Sequence, residues 1–351
     1  MNMKKESIFK LISIGFGITI TLLFIEIGLR YISYNNYHSL DEIGVEKRKA
    51  LNDPQSEKTL GEIIQLSTSN KIIYELIPNS IYSFQNVIVK TNSNGFRDKE
   101  YPTKKPNKTK RIIGLGDSIM FGWGVDEEEC YLSRLENMLN QNRNDSTNYE
   151  VINTGVPGYN TAMEVAVLKN KIDLSQVDLV IINFIENDFD LPNFIRKKPP
   201  YDNFKQSFIR KELFPRSLDG WRGIDSRLHE APFDTSGYYE KDPENVPNIY
   251  KEMVGETGYL TAMQTLNNLS EKHGFKLILL TNSLFKPRPK PVKDFAKKSK
   301  IYYLDVKDDW KICKPEFNNK PYHISDIDYH PNRYGHACNA RILYRKIKEI
   351  L

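Results

Sequence analysis

From Arg111 onward, short apolar runs alternate with helical patterns, and no other feature of the chain constrains its fold as strongly. Runs rich in Ile, Leu and Val predict strands at 111–115, 149–153, 179–184, 276–281 and 301–306. Helical periodicity predicts helices at 127–140, 161–170, 259–273 and 335–350. Unbroken apolar strands separated by such helices mean a mostly parallel sheet covered on both faces. Right-handed crossovers then build a three-layer α/β/α sandwich.

Four segments leave the C-terminal edge of that sheet, where open parallel sheets carry their sites. The first strand enters Gly116-Asp117-Ser118 and continues into Phe121-Gly122-Trp123-Gly124. NTGVPGYNT (153–161) follows the second strand, ENDFD (186–190) the third, and DIDYHPNRYGH (326–336) precedes the last helix. A serine hydroxyl is a poor nucleophile at neutral pH and needs a base within hydrogen-bond reach. His330 is the candidate base for Ser118. Asp328, two residues earlier, is the candidate carboxylate to orient it, with Asp326 in reserve. The developing negative oxygen of an acyl-transfer intermediate needs converging donors. The candidates are the amides of Ser118 and Gly155 and the side chain of Asn187. Gly155 has no side chain, so its backbone can come close to that oxygen. Asp326, Asp328, His330 and His336 have the composition of a mixed metal site but follow no strict ligand spacing. Neither a metal nor a cofactor is expected, and His336 is expected to pack against or cap the last helix.

In this order the blocks resemble the SGNH hydrolases, the GDSL-type lipase/esterase superfamily, in its bacterial membrane-anchored form. The resemblance spans about residues 91–345, apart from one long insertion, and includes Asn94-Gly95-Phe96-Arg97 ahead of the first strand. It implies the SGNH hydrolase fold with a flavodoxin-like sheet, Ser118 as nucleophile, Asp328 and His330 as its acid and base, and Gly155 and Asn187 as oxyanion donors. Two positions depart from the family pattern. Ile185 stands where the third block usually has glycine, and the residue three before His330 is Ile327. The implied activity is serine-dependent hydrolysis of a carboxylic ester, an acyl group on an extracytoplasmic glycan or lipid. Two alternatives use the same pocket: an O-acyltransferase acting on a cell-surface polysaccharide, and an inactive membrane-anchored carbohydrate-binding or assembly protein.

The N-terminus places that chemistry. Lys4, Lys5 and Lys10 precede a span from Leu11 to Ile32 interrupted only by Glu26 and Arg30. Its length suits a membrane helix. Lysines on the entry side put the N-terminus in the cytoplasm and the rest outside. No small-x-small cleavage pattern follows, so a signal anchor is expected rather than a cleaved signal. The chain then divides into an anchor at 1–34, a connecting region at 35–109 with sparse structure, and a hydrolase-like domain at 110–351. The insertion at 189–254 is the candidate substrate-binding wall. With 50 basic against 45 acidic residues, the charge is too even for a nucleic-acid partner. The seven basic residues within 286–300 read as a solvated loop and helix start. The three cysteines, Cys130, Cys313 and Cys338, permit at most one bridge.

Overall fold

The computed structural model describes residues 5–38, 57–58, 60–141, 146–192, 207, 209, 239–240, 248–284, 287–317, 320–325 and 328–351. Asp326 and most of the 189–254 insertion lie outside the described residues. Helix α1 (Lys5–His38) contains an apolar stretch, Ser7–Ile32, of mean hydropathy 2.2, long enough to cross a membrane. Most of its apolar side chains are exposed. Glu26 pairs with Arg30 one turn on, at 2.9 Å, and accepts hydrogen bonds from the Ser207 hydroxyl and the Ile209 amide. Both charges of the span are therefore compensated.

The connecting region holds more structure than its sequence suggests. Helix α2 (Leu60–Ile63) leads into β1 (Ile64–Leu66), which pairs antiparallel with β2 (Tyr74–Leu76). A second hairpin joins β3 (Ile81–Phe84) to β4 (Val87–Lys90). Its turn residues Gln85 and Asn86 both have positive φ, the backbone that matches tight hairpins. Strands of three and four residues are too short to show a clear period.

The sheet follows. It comprises β5 (Thr109–Leu115), β6 (Asn148–Asn153) and β7 (Leu179–Phe184), then, after the short pair β8 (Leu191–Pro192) and β9 (Tyr239–Glu240), β10 (Lys276–Thr281) and β11 (Tyr302–Asp305). The order β11-β10-β7-β5-β6, parallel throughout, puts β5 between β6 and β7, with the chain running outward from it both ways. Register aligns Ile113 with Ile152 and Val180, so apolar rows cross the sheet. The helices, in chain order, are α3 (Ser118–Phe121), α4 (Tyr131–Gln141), α5 (Thr161–Lys171), α6 (Gly255–His273), α7 (Lys290–Lys298), α8 (Trp310–Phe317) and α9 (Arg333–Ile350).

Successive side chains of β5 face opposite ways. Ile112 joins Leu135, Cys338 and Leu343 in the core under α4, α8 and α9. Ile113 joins Met163, Met263 and Val292 in the core under α5, α6 and α7. Tyr74, Tyr82 and Phe84 of the two hairpins are buried in that second core. Cys313 of α8 and Cys338 of α9 form a disulfide with a sequence separation of 25, leaving Cys130 free and buried. Closing a loop of that size removes about 3.5 kcal/mol of unfolded-chain entropy. The double variant Cys313→Ser/Cys338→Ser should therefore lose about 2–4 kcal/mol in denaturant unfolding, with its secondary structure retained.

Candidate active site

The site begins where β5 ends. Asp117 caps α3, its carboxyl accepting from the Ile119 amide at 3.0 Å. A short polar acceptor here satisfies an otherwise orphaned helix donor. Ser118 is therefore the first residue of a one-turn helix and is held at the sheet edge. Gly122 ends that turn with φ 89°, a left-handed conformation that favours glycine.

A second loop, between α8 and α9, approaches Ser118 from the other end of the chain. His330 Nε2 lies 2.8 Å from Ser118 Oγ, and His330 Nδ1 lies 2.6 Å from Asp328 Oδ1. The same Asp328 oxygen accepts the His330 backbone amide at 3.0 Å. That side-chain-to-backbone turn brings the imidazole back to a carboxylate only two residues away. Asn332 fixes the loop to the helix behind it. Its carbonyl oxygen caps α9 at Tyr334 and Gly335, and its amide donates to the carbonyls of Pro321 and His323.

Two carboxyls near this relay are driven in opposite directions. Burial alone would raise Asp328, but hydrogen bonds from the His330 side chain and backbone outweigh it and hold the carboxyl below its ordinary range. Asp117 is buried, and burial pushes its carboxyl up despite its hydrogen bonds from Ile119 and Ser118. Ser118 Oγ is 3.0 Å from Asp117 Oδ2 as well as 2.8 Å from His330. One hydroxyl proton cannot serve both acceptors. In the resting arrangement the Ser118 hydroxyl is placed to donate to either Asp117 Oδ2 or His330 Nε2.

The expected oxyanion donors are more engaged than their sequence positions suggest. The Gly155 amide donates to Asn153 Oδ1 at 2.9 Å, and the Ser118 amide interacts with the Asp117 carboxyl. Asn187 lies half-buried in a 3₁₀ turn, Glu186–Phe189, directly after β7. Asp188 pins that turn, accepting from the Ile185 amide at 2.6 Å and the Thr161 hydroxyl at 2.8 Å. Ile185 has φ −130° and ψ 172°, extended backbone open to any residue, so the turn forms without glycine there. Gly155 is required for a reason other than ligand approach. A Cβ there would lie 2.5 Å from the Phe121 amide nitrogen, so its backbone is pressed against α3.

No family model matches the chain, and no curated protein matches it. Solved structures do resemble it. An acetyl xylan esterase, AlAXEase, has 16% identity and a TM-score of 0.40, covering 68% of this chain and 99% of that one. A putative lipolytic protein of the G-D-S-L family from Desulfitobacterium hafniense DCB-2 has 13% identity and a TM-score of 0.36, covering 67% and 98%. Axe2, an acetylxylan esterase from Geobacillus stearothermophilus, has 16% identity and a TM-score of 0.39, covering 68% and 94%.

Two residues at the site are not evident from sequence alone. Arg97 is buried, and its guanidinium donates to the carbonyls of Phe121, Gly122 and Val125, holding the turn after α3. Its signal was the Asn-Gly-Phe-Arg stretch, where Gly95 has φ 75° and the Asn92 side chain accepts from the Asn94 and Phe96 amides. Trp123 lies within that turn and stacks on His330. His336 stands apart from the relay. It is buried under α4, its Nδ1 accepting the Tyr131 amide at 3.1 Å, and burial pushes it down to about 3. It is a packed neutral imidazole. Among the described residues, no group of three or more His, Cys, Asp or Glu side chains has the arrangement of a metal site.

Gly155→Ala tests the contact with α3. Its new methyl group must displace backbone, so the variant should lose about 1–3 kcal/mol in thermal or denaturant unfolding.

Proposed function

We propose that this chain is a serine-dependent carboxylic ester hydrolase that removes acyl groups from an extracytoplasmic glycan or lipid. The observation that carries the reading is the relay from Ser118 Oγ through His330 to Asp328, at 2.8 and 2.6 Å, between segments 212 residues apart in sequence. A hydroxyl, an imidazole and a carboxylate in that order are what acyl transfer requires.

In this mechanism Ser118 Oγ attacks the ester carbonyl carbon as its proton passes to His330 Nε2. Asp328 holds the ring in the tautomer that presents a bare Nε2, and stabilises the imidazolium once formed. Asn187 supplies a side-chain donor to the tetrahedral oxyanion. The amides of Ser118 and Gly155, engaged in the resting protein by Asp117 and Asn153 Oδ1, are the further candidate donors. The imidazolium then protonates the leaving alcohol, and water, deprotonated by His330, releases the acyl group from Ser118. Helix α1 is the single-pass anchor of this reading. The Lys-rich N-terminal side is cytoplasmic, so the domain works among surface glycans and lipids outside.

A serine-directed fluorophosphonate should label the protein stoichiometrically at Ser118 by peptide mapping, and Ser118→Ala should abolish both labelling and p-nitrophenyl acetate cleavage. An unlabelled, inactive wild-type protein would overturn the reading. Asp328→Asn should reduce kcat by roughly 10–10³-fold with folding unchanged, since other contacts still position the ring. Asn187→Ala should reduce kcat by roughly 10²–10³-fold, the scale of one lost oxyanion donor. Full turnover in Asn187→Ala would remove it from that role.

A further inference from the structure

The basic stretch after β10 reads from sequence as solvated, but one of its charges is withdrawn from water. Arg288 is partly buried, and its Nε is closed off from solvent without a hydrogen-bond partner. Among the described residues its guanidinium makes no hydrogen bond and no ion pair. Burial holds the group below its ordinary value, and the charges of Asp305 and Glu186 offset that only in part. Asp305 has its own partners. Its Oδ1 accepts the amides of Ser283 and Lys307 at 3.1 and 2.9 Å. Its Oδ2 lies 3.0 Å from the Thr281 hydroxyl and 3.3 Å from the Tyr303 hydroxyl. A carboxylate offers about four acceptor positions, so little of Asp305 is left for the guanidinium. A charge taken from water without a partner is costly to keep, and an arriving anion would remove that cost.

The placement suits a ligand that also reaches Ser118. Pro287 and Pro289 flank Arg288, and their fixed φ stiffens the backbone that presents it. This loop leaves the same C-terminal sheet edge as the turn that carries Ser118. Only β7 separates β10 from β5, and neighbouring strands lie about 4.8 Å apart, so the two exits are about 10 Å apart. Helix α7 carries positive charge onward from the loop. Val292 and Ala296 are buried against the core, while Lys290, Lys293 and Lys297 are exposed. Spaced at i, i+3 and i+7, the three lysines share one helix face. None of them forms an ion pair among the described residues, and Asp294 is the only acid in the helix.

We propose that Arg288 binds an oxyanion of the substrate, and that the substrate is an acidic glycan with carboxylate or phosphate groups along its length. The planar fork of arginine matches either group bidentately. An anion site and a nucleophile on strands about 10 Å apart need an extended ligand to occupy both. The lysine row favours a polymer over a lipid headgroup, because a single headgroup on Arg288 would leave the row idle. The inference rests on the hydrolase reading for the ester, whereas the anion site is tested without turnover.

Binding is measured by calorimetry on the full chain in nonionic detergent, with Ser118→Ala to prevent cleavage. The probes are trigalacturonate, phosphorylated maltotriose and neutral maltotriose. At least one anionic probe should bind roughly 10-fold or more tightly than the neutral one, the scale of a hydrogen bond to a charged group. Added salt should weaken that preference. Arg288→Gln should remove it, with thermal unfolding confirming the fold. Arg288→Lys keeps the charge without the fork and should retain only part of it. No preference for either anionic probe when Arg288 is present, or a full preference in folded Arg288→Gln, overturns the inference. The anionic probe that binds tells carboxylate from phosphate. Lengthening that probe should tighten binding further, and the triple variant Lys290→Gln/Lys293→Gln/Lys297→Gln should abolish the gain. Equal affinity for short and long chains overturns the polymer. Glycerol 3-phosphate binding as tightly as the anionic trisaccharides would assign the site to a lipid headgroup and overturn the glycan. Fluorophosphonate labelling of the protein with Ser118 intact separately decides the hydrolase reading, so a preference without labelling keeps the glycan site and removes only the hydrolase.

Discussion

A buried guanidinium bound by backbone carbonyls holds the surroundings of Ser118 in place. Arg97 is 1% exposed, and the three backbone carbonyls that it binds belong to the end of α3 and the turn after it. Burying a charge is costly unless its hydrogen bonds are made, so the turn and the arginine specify each other. That turn contains Trp123, and its geometry positions the indole against the histidine loop. A segment ahead of the first sheet strand thereby governs residues at both ends of the chain. The β3–β4 hairpin adds to this through Phe84, which packs against Phe121 and Trp123.

Charge at the site is sorted by environment. Asp328 has hydrogen bonds that favour its anion, whereas Asp117 is enclosed and driven towards its neutral form. Pushing two carboxyls apart in this way gives one fold two kinds of acid. Glu164 and Asp188 extend the enclosed set. Burial raises both well above their ordinary values, and each is raised further by the carboxyls around it.

The parts of the fold legible in the sequence are those with long, one-sided signals. Strand β7 spans 179–184 as its unbroken apolar run predicts, and the fourth sheet strand likewise coincides with its run. Helix α4 starts later than its pattern suggests, because Glu127–Glu129 form a separate 3₁₀ turn before Cys130. The hairpins at 64–90 were illegible because three- and four-residue strands lack a periodic signature, and tertiary burial of Tyr74 and Phe84 decides them. Residues 326–327 lie outside the described chain, so Asp326 has no placement to compare with that of Asp328. Trp123 is named by the sequence only as part of the block that follows Ser118. Only the approach of a loop 207 residues later reveals its contact with His330.

The Cys313–Cys338 bridge encloses the whole segment that carries Asp328 and His330, whereas Ser118 lies outside the covalent ring. The two halves of the relay consequently differ in their dependence on oxidation. The strand that ends at Ser118 lies outside the ring, while Asp328 and His330 sit within a ring that closes only under oxidising conditions. The third thiol cannot reopen it. Cys130 is buried, and burial pushes its thiol up to about 11, leaving almost no thiolate to attack the bridge at neutral pH. Pairings that involve Cys130 are open only to a chain whose core has not yet formed. Once folded, the protein keeps one bond pattern, with no internal route to shuffle it.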